Sequence, residues 1–314
     1  MIVTVTPNPS LDRTARLTEL RRGEVLRATR VRLDPGGKGV NVARALTAAG
    51  TPAVALLPAG GAVGERLADL LAPEGVPVVS VPIAGTTRSN ITLVEADGTT
   101  TKINEPGPEL SPAELAALEN RAVELAARGE WLVCCGSLPA GVPDDFYARL
   151  TALAHEAGAK VAVDTSGAPL AAACAAGPDL VKPNLDELTE LAGRPLPTLG
   201  DVITFCRQLI SGGVGGVLVS LGARGAVLVG KTESHHALGP LVAVRSTVGA
   251  GDATLAGFLH AGGTGPQALR TAVAYGTAAV TQEGSRMPAP HEVHPDQVRL
   301  LEADPTFTLR GAAA

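Results

Sequence analysis

The stretch Thr247-Val248-Gly249-Ala250-Gly251-Asp252-Ala253-Thr254-Leu255-Ala256-Gly257-Phe258 combines small residues, one carboxylate and an apolar run of helical character. Glycines let backbone N–H groups approach a ligand closely, and the start of a helix carries partial positive charge. The stretch is therefore suited to hold a phosphoryl group, with Asp252 placed to accept a proton from an incoming hydroxyl. Asp is also a preferred N-cap residue, so a purely structural role for Asp252 is the alternative.

Length and composition limit the class of protein. The chain has 314 residues, 45% of them apolar, which is enough for a large core. A formal charge of −5 without a lysine or arginine cluster argues against nucleic-acid binding, and no apolar run reaches the roughly 18 residues of a membrane span. Residues 1–6 predict a strand and not a signal peptide. We expect a cytoplasmic protein with buried, reduced cysteines and with no membrane or nucleic-acid partner.

Hydrophobic patterning predicts the fold class. Short β-branched segments alternate with Ala- and Leu-rich segments of helical period, which is typical of βαβ units in an α/β fold with a doubly wound, mostly parallel sheet flanked by helices. The candidate strands are Ile2–Val5, Val54–Leu57, Trp131–Cys135, Lys160–Asp164, Leu180–Lys182 and Val217–Ser220. The candidate helices are Val40–Ala49, Ala62–Leu71, Pro112–Ala127, Pro143–Ala157, Leu185–Leu191, Asp201–Ile210, Ala253–Ala261 and Pro266–Thr281.

Two regions interrupt this alternation. Residues from about 14 to 34 and from about 86 to 104, the latter with the turn Asp97-Gly98, predict extended segments and a hairpin without intervening helices. Such strands can form a small β-sheet lid, or a surface for a dimer. We therefore interpret residues 1–314 as a single α/β domain whose lid is formed by these two excursions.

A second glycine-rich loop opens another predicted helix, in Pro35-Gly36-Gly37-Lys38-Gly39-Val40-Asn41-Val42-Ala43-Arg44-Ala45-Leu46. It fits neither a Walker A loop, because Gly39 follows the lysine, nor the Rossmann fingerprint. Lys38 suits a substrate phosphate and Asn41 a sugar hydroxyl. A solvated lysine in a flexible loop is the alternative, which two consecutive glycines before a helix disfavour.

Further polar residues follow predicted strands or lie in the excursions. Asp12 and Ser137 come after strands, where parallel sheets present their ligand crevice. Arg88 begins a lid strand and Arg27 lies in the other excursion, and either arginine can clamp a phosphate. A turn residue or a surface charge is the alternative for each, and taken alone Asp12 and Ser137 fit a turn better.

The segment Lys182-Pro183-Asn184-Leu185-Asp186-Glu187 ends a strand and begins a helix. Asn184 and Glu187 have the spacing of a capping box, while the same amide and carboxylate can organise Mg²⁺ and its waters. Ser220-Leu221-Gly222-Ala223-Arg224-Gly225 follows the next strand and can approach a nucleotide through its backbone. Each of these signals is weak when taken by itself.

Together these motifs resemble the ribokinase-like (PfkB) carbohydrate kinases, in the same order and over essentially the whole chain. The opening segment from Thr6 to Asp12 and the lysine in Gly36-Gly37-Lys38-Gly39 resemble the subgroup of 1-phosphofructokinase and tagatose-6-phosphate kinase, whose substrates already carry a phosphate. The resemblance implies ATP and Mg²⁺ as ligands and a homodimer formed through the lid.

The resemblance also implies roles for individual residues. Asp252 would be the catalytic base and Gly249, Ala250 and Gly251 the anion hole, with Asn184 and Glu187 in the magnesium network. The nucleotide would contact Lys182, Asn184, Ser220, Gly222, Gly225, Val248 and Ala279. The sugar phosphate would contact Asp12, Gly37, Lys38, Asn41, Arg88, Ser137 and Arg27.

The implied reaction is ATP-dependent phosphorylation of a ketose phosphate, with fructose 1-phosphate converted to fructose 1,6-bisphosphate. Tagatose 6-phosphate is the alternative acceptor. Fructose 6-phosphate comes after it, because the minor 6-phosphofructokinase has Gly where Lys38 stands and Lys where Glu24 stands. A nucleotide-binding regulator is the non-enzyme alternative, which the presence of Asp252 disfavours. Many relatives bind a monovalent cation in the segment matching 279–286, so K⁺ is retained as an optional ligand, although Gln282 replaces a shorter Asn there.

Overall fold

The structure is a computed structural model that describes residues 1–309. These residues form fourteen strands: β1 (Ile2–Val5), β2 (Ser10–Arg16), β3 (Arg30–Gly36), β4 (Ala53–Ala59), β5 (Val78–Pro82), β6 (Arg88–Val94), β7 (Thr100–Asn104), β8 (Trp131–Cys135), β9 (Lys160–Asp164), β10 (Leu180–Val181), β11 (Val217–Ser220), β12 (Ala226–Val229), β13 (Ser234–Leu238) and β14 (Arg299–Glu302). The α-helices of this part of the chain are α1 (Lys38–Ala48), α2 (Gly61–Leu71), α3 (Pro112–Ala126), α4 (Phe146–Glu156), α5 (Gly167–Ala175), α6 (Leu185–Ala192), α7 (Leu199–Ser211), α8 (Ala250–His260) and α9 (Gly265–Val280).

Ten strands form the central sheet, in the order β14-β13-β12-β11-β10-β9-β8-β1-β4-β5. Neighbours from β5 to β11 run parallel, and β11 to β14 pair antiparallel. Alternate residues face opposite layers, so Val3 packs in one apolar cluster and Ile2 in the other. Helices cover both faces, which explains why these strands are nearly continuous apolar runs. The predicted α/β fold is confirmed.

The carboxyl ends of the parallel strands carry polar residues. Thr6 follows β1, Gly136 and Ser137 follow β8, Asp164 ends β9, and Lys182 follows β10. Because parallel strands end at a common edge of a sheet, these residues come together there although they are far apart in sequence. The fold thereby places a crevice at this edge.

A separate four-stranded sheet, the lid sheet, has the order β3-β2-β6-β7. Its strands come from the two excursions predicted from the sequence, but the first begins at Ser10 and reaches Gly36. Asp12 pairs with Asn90 of β6 and with Asp34 of β3. The small sheet is thus observed, while its function as a lid and the single-domain interpretation remain predictions.

The start of α8 differs from the prediction. The helix begins at Ala250, three residues earlier than expected, and its N-cap is Gly249 in the left-handed region with φ 78°. Asp252 is consequently the third helical residue, and no side-chain cap hydrogen bond forms at this helix start. The capping alternative for Asp252 is wrong.

The sequence patterns did not predict several helices and strands that the structure contains. Helix α5 was not predicted, and its sequence contains both Gly167 and Pro169. Strands β13 and β14 carry polar residues such as His236 and Arg299, which weaken the apolar signal. All four cysteines are buried free thiols, as predicted. None of the helices within residues 1–309 combines the length and apolarity needed to cross a membrane.

Candidate active site

The carboxylate of Asp252 lies in the first turn of α8 and is almost fully buried, with 7% of the residue exposed. Its Oδ2 atom accepts a hydrogen bond of 2.9 Å from Nδ2 of Asn41 on α1. Burial and the charge of Asp164 raise the pKa of Asp252 to about 6, while Lys38, the Asn41 hydrogen bond and Lys182 oppose that rise. Such a carboxylate is ionised at neutral pH and close to the pKa that favours general-base chemistry.

The start of α8 is a helix N-terminus preceded by Gly249, and its role as an anion hole remains a prediction. The first N–H groups of a helix lack carbonyl partners within the helix and point toward a ligand. The left-handed conformation of Gly249 directs the chain into this turn. A Cβ atom at Gly251 would lie 3.3 Å from Nζ of Lys182, so the helix start and the ammonium group are close together. An anion placed here would meet both.

Asp164 and two lysines form a charge cluster beside the helix start. Asp164 is fully buried, and its Oδ1 and Oδ2 atoms lie 2.8 Å from Nζ of Lys38 and 2.9 Å from Nζ of Lys182. Burial alone would raise the pKa of Asp164, but the ammonium groups of Lys182 and Lys38 outweigh it and hold the pKa below its usual value. Asp164 is therefore a permanent anion that fixes both lysines.

Lys38 also approaches Glu187, with 3.4 Å between Nζ and Oε1. Burial acts to lower the pKa of Lys38, but the charges of Asp164 and Glu187 exceed that effect and raise the pKa above its ordinary value. The lysine is charged and held by two carboxylates, so it is not a loose side chain, although 35% of it is exposed. Its predicted contact with a sugar phosphate remains a prediction.

Asn184 and Glu187 form a complete capping box at the start of α6. Glu187 Oε2 accepts a hydrogen bond of 2.8 Å from the Asn184 N–H, and Asn184 Oδ1 accepts one of 2.8 Å from the Glu187 N–H. The structural alternative for this pair is thus confirmed. Glu187 Oε1 still faces the cluster around Lys38, and among residues 1–309 no group of three acidic, His or Cys side chains could hold a metal.

The opposite wall of the crevice belongs to the lid sheet. Oδ1 of Asp12 accepts hydrogen bonds from Ser10 Oγ at 2.7 Å and from Asn90 Nδ2 at 3.0 Å. Burial raises the pKa of Asp12, although the bonds from Ser10 and Asn90 and the charge of Arg88 act against it. A Cβ at Gly36 would overlap the Asp12 carboxyl group, so the glycine makes room for it.

Arg88 and Ser137 lie further along this wall. Arg88 Nη1 donates to the backbone oxygen of Glu105 at 2.8 Å, while its buried Nε atom has no hydrogen-bond partner within residues 1–309. Ser137 Oγ accepts a hydrogen bond of 3.4 Å from Asn8. An arginine with an unused buried donor is suited to bind an anionic group.

A single cleft of about 490 Å³ joins these features. It brings together most of the predicted site residues: Asp12, Gly37, Lys38, Asn41, Arg88, Ser137, Lys182, Asn184, Glu187, Ser220, Val248, Gly249, Gly251 and Asp252. Seven polar residues in its lining were not among the predicted site residues: Thr6, Asn8, Ser10, Asn90, Asp164, Thr165 and Ser166. The signal for Asp164 was its place at the carboxyl end of an apolar strand.

The family of pfkB carbohydrate kinases matches residues 7–292 of the chain. The chain belongs to this family. It is accordingly a kinase that transfers a phosphoryl group to an alcohol acceptor.

Two curated relatives and one crystal structure illustrate the similarity. The kinase is 40% identical over 297 residues to the 1-phosphofructokinase of Rhodobacter capsulatus, covering 93% of this chain and 94% of that protein. It is 42% identical over 264 residues to the 1-phosphofructokinase of Xanthomonas campestris pv. campestris, covering 82% and 83%. The structure of phosphofructokinase-2 from Escherichia coli in complex with potassium has a TM-score of 0.88 and 38% identity, covering 93% of the kinase and 96% of that chain.

Four of the predicted contact residues lie outside the lining of the kinase's cleft. Arg27 is exposed in the loop before β3. Gly222 and Gly225 flank a short 3₁₀ helix after β11, and Ala279 is buried near the end of α9. A fifth predicted site residue, Ala250 of the predicted anion hole, is also absent from the cleft lining, although Gly249 and Gly251 on either side of it are part of that lining. Their predicted contacts remain predictions.

A second cavity of about 500 Å³ adjoins the cleft under the lid sheet and shares Asp12 and Val248 with it. Arg32 of β3 donates from Nη2 to the backbone oxygen of Glu283 at 2.9 Å, and Arg16 of β2 lies 3.4 Å from the Glu283 carboxylate. Two lid strands therefore contact the segment that follows α9 in this kinase.

Proposed function

We propose that this kinase phosphorylates fructose 1-phosphate with ATP, giving fructose 1,6-bisphosphate and ADP. The observation that carries the proposal is the buried Asp252 carboxylate at the positive end of α8, in one cleft with the lid residues Asp12 and Arg88. The 40% and 42% identities to proteins named 1-phosphofructokinase support this choice of acceptor. The minor 6-phosphofructokinase has Gly where Lys38 stands and Lys where Glu24 stands, and these differences argue against fructose 6-phosphate as the acceptor.

In the proposed reaction, Asp252 takes the proton of the C6 hydroxyl as its oxygen attacks the γ-phosphorus. The bond from that phosphorus to the bridging oxygen breaks, and ADP leaves. A pKa near 6 lets the carboxylate be ionised beforehand and still compete for the proton during attack. The N–H groups at the start of α8 and the Lys182 ammonium lie where charge develops on the transferring group.

The residues around α6 and α8 fit a nucleotide with Mg²⁺. Asn184 Oδ1 and Glu187 Oε2 are used in the capping box, so Glu187 Oε1 is the oxygen left to face the cleft, which suits an ion that keeps several waters and phosphate oxygens. When bound, Mg²⁺ would neutralise charge on the phosphates. Lys182, held by Asp164, would bind and orient the phosphate chain at the helix start.

At the other end of the cleft, Arg88 would bind the phosphate already on the sugar. Its buried, unpartnered Nε and its restraint by the Glu105 carbonyl point to a preorganised anion contact. Asp12, fixed by Ser10 and Asn90, would accept hydrogen bonds from ring hydroxyls. The two ends thus treat the acceptor asymmetrically: one hydroxyl faces the base, and the phosphate faces the arginine.

The fit to potassium is poor, and we propose that turnover does not require it. In the segment 279–286, the Ala279 carbonyl accepts a bond from the Gln282 N–H, and the Glu283 carbonyl accepts one from Arg32. The Gln282 side-chain oxygen accepts from Arg286 Nε at 2.9 Å. These oxygens already have donors in this kinase, whereas phosphofructokinase-2 from Escherichia coli was crystallised in complex with potassium. Several-fold activation by KCl over choline chloride would contradict this.

A homodimer formed through the lid sheet is also proposed. Val31, Leu33 and Ile103 are exposed by 46%, 36% and 53% on the lid face that points away from the cleft. They alternate with residues such as Arg32, which lines the second cavity, as the two-residue period of a strand requires. Exposed apolar side chains on one face of a sheet with two open edges favour pairing with a like surface.

The test is coupled ADP release with Mg·ATP, comparing fructose 1-phosphate, tagatose 6-phosphate, fructose 6-phosphate and fructose side by side. We expect the highest kcat/KM for fructose 1-phosphate. A higher kcat/KM for tagatose 6-phosphate or fructose 6-phosphate would change the proposed substrate but leave the proposed mechanism unchanged. Bound ATP without turnover of any of the four would favour the nucleotide-binding regulator.

A further inference from the structure

Arg44 lies on α1, one turn after Asn41, and its side chain is only 4% exposed. A buried guanidinium group needs partners, because removing its charge from water is costly. Glu74, in the short 3₁₀ helix Ala72–Glu74 after α2, supplies them: it accepts from Nε at 2.7 Å and from Nη2 at 2.8 Å. This two-pronged contact fixes the plane and position of the guanidinium group.

The remaining nitrogen of Arg44 reaches toward the site. Nη1 donates to Oδ1 of Asn41 at 3.2 Å and to the backbone oxygen of Ser285 at 3.0 Å. The other end of the Asn41 amide, Nδ2, donates to Oδ2 of Asp252 at 2.9 Å. Because a guanidinium group has donors only, the amide oxygen must face Arg44 and the NH₂ group must face the carboxylate.

We propose that Arg44 is a positioning residue that, held by Glu74, sets the orientation of the Asn41 amide and thereby holds the Asp252 carboxylate for proton transfer. Arg44 and Glu74 both lie outside the cleft lining, so they act through Asn41 and not on the substrate. The proposal rests on the proposed role of Asp252 as the base.

Removing the guanidinium group frees the amide to turn over. With Oδ1 toward Asp252, two acceptors face each other, which disfavours the ionised carboxylate and favours the protonated one. The other charged groups around Asp252 are Asp164 from β9, Lys38 from α1 and Lys182 after β10, and they are unchanged by the substitution. The freed Glu74 carboxylate is 37% exposed and can be hydrated.

The experiment measures kcat and KM across pH for Arg44→Met. We expect the midpoint of its acid limb to rise from near 6 by about one pH unit, as for loss of a hydrogen bond to a charged group, so that kcat falls about twofold at pH 7 and about tenfold at pH 5. KM for the sugar phosphate should change little, and Arg44→Lys should move the midpoint back toward the parent. The control is Arg149→Met, which removes another arginine–glutamate contact, with Glu119, far from the site.

A uniform fall in kcat at every pH, with an unmoved midpoint, would overturn the proposal. If Arg44→Met does not fold, Glu74→Gln replaces it. We expect this variant to raise the midpoint of the acid limb of kcat by a smaller amount. An unchanged midpoint in Glu74→Gln would again overturn the proposal. The Asp252→Asn variant distinguishes a failure of the proposed base from a failure of the proposed role of Arg44. Full turnover in Asp252→Asn would refute the base itself, whereas an inactive Asp252→Asn beside an unshifted Arg44→Met would refute only the role of Arg44.

Discussion

Nζ of Lys38 lies 2.8 Å from Oδ1 of Asp164, and the same carboxylate binds Lys182 through its other oxygen. The three groups come from α1, β9 and the residue after β10. One fully buried carboxylate therefore joins three elements at the floor of the cleft and keeps two ammonium groups in place for an anionic ligand.

Asp164→Asn should lower the free energy of unfolding by about 3 kcal/mol, because it leaves two ammonium groups without their buried counter-charge. Urea unfolding monitored by circular dichroism measures the change. Asp179→Asn is the control, since that carboxylate is 39% exposed and pairs with His155 at the surface. Equal unfolding midpoints for the Asp164 variant and the parent would contradict the structural role.

Asp252→Asn should reduce kcat by roughly 10²- to 10⁴-fold, as expected when a general base is lost. KM for both substrates should change much less, because the amide keeps the size of the carboxyl group. Asp186→Asn is a matched control: it is an exposed carboxylate in the first turn of α6. Turnover within a few-fold of the parent would remove Asp252 from the mechanism.

The same Asp252→Asn variant should be more stable than the parent at pH 7.5. Folding raises the pKa of this group from 3.8 to about 6. The folded state therefore binds the proton more tightly, and the ionised carboxylate costs about 3 kcal/mol of stability above pH 6. The difference in free energy of unfolding between variant and parent should shrink as the pH falls from 6 to 4. Thermal unfolding at a series of pH values measures it, and a difference independent of pH would contradict the argument.

Arg88→Gln should raise KM for the sugar phosphate by about 10- to 100-fold with a smaller effect on KM for ATP, because a charged hydrogen-bonding group is lost at one end of the cleft. Arg27→Gln, an exposed arginine outside the cleft lining, is the matched control. If Arg27→Gln raises KM for the sugar phosphate more than Arg88→Gln does, the result supports a phosphate contact by Arg27 and contradicts one by Arg88.

Ile103→Lys should shift the protein from dimer to monomer at micromolar concentration, since it places a charge on the apolar outer face of the lid sheet. Sedimentation velocity measures the change. Leu241→Lys is the control, because Leu241 is 97% exposed but lies outside the lid strands. A parent that sediments as a monomer, or a dimer unaffected by Ile103→Lys, would rule out this interface.

The sequence predicted six of the seven parallel strands of the central sheet, because these strands are almost purely apolar and largely buried. It did not predict the edge strand β5, most of which is half-buried or exposed, or the antiparallel strands β12, β13 and β14. Local patterns likewise placed Asp252, Lys38 and Asn184 beside helix starts that the structure contains. The position of α8 was missed by three residues because Gly249 begins the helix without a side-chain cap.

Residues defined by long-range contacts were not predictable in this way. Asp164 acts only because Lys38, 126 residues away, meets it at the sheet edge. Arg44 carries a charge, which is typical of a surface residue, but residues 39–46 of α1 are all buried and Arg44 is paired there with Glu74 from another element. Arg27 lies on a loop that is exposed in this structure, and its predicted contact with the sugar phosphate remains a prediction.

The segment after α9 is held from two sides, by Arg32 of the lid sheet at the Glu283 carbonyl and by Arg44 at the Ser285 carbonyl. The lid sheet and the Asn41 amide are therefore joined through one short turn, because Arg44 donates to both the Ser285 carbonyl and the Asn41 side-chain oxygen. If the sheet closes over a bound sugar, as its predicted role as a lid requires, this turn is the path by which that movement would reach the amide that faces Asp252.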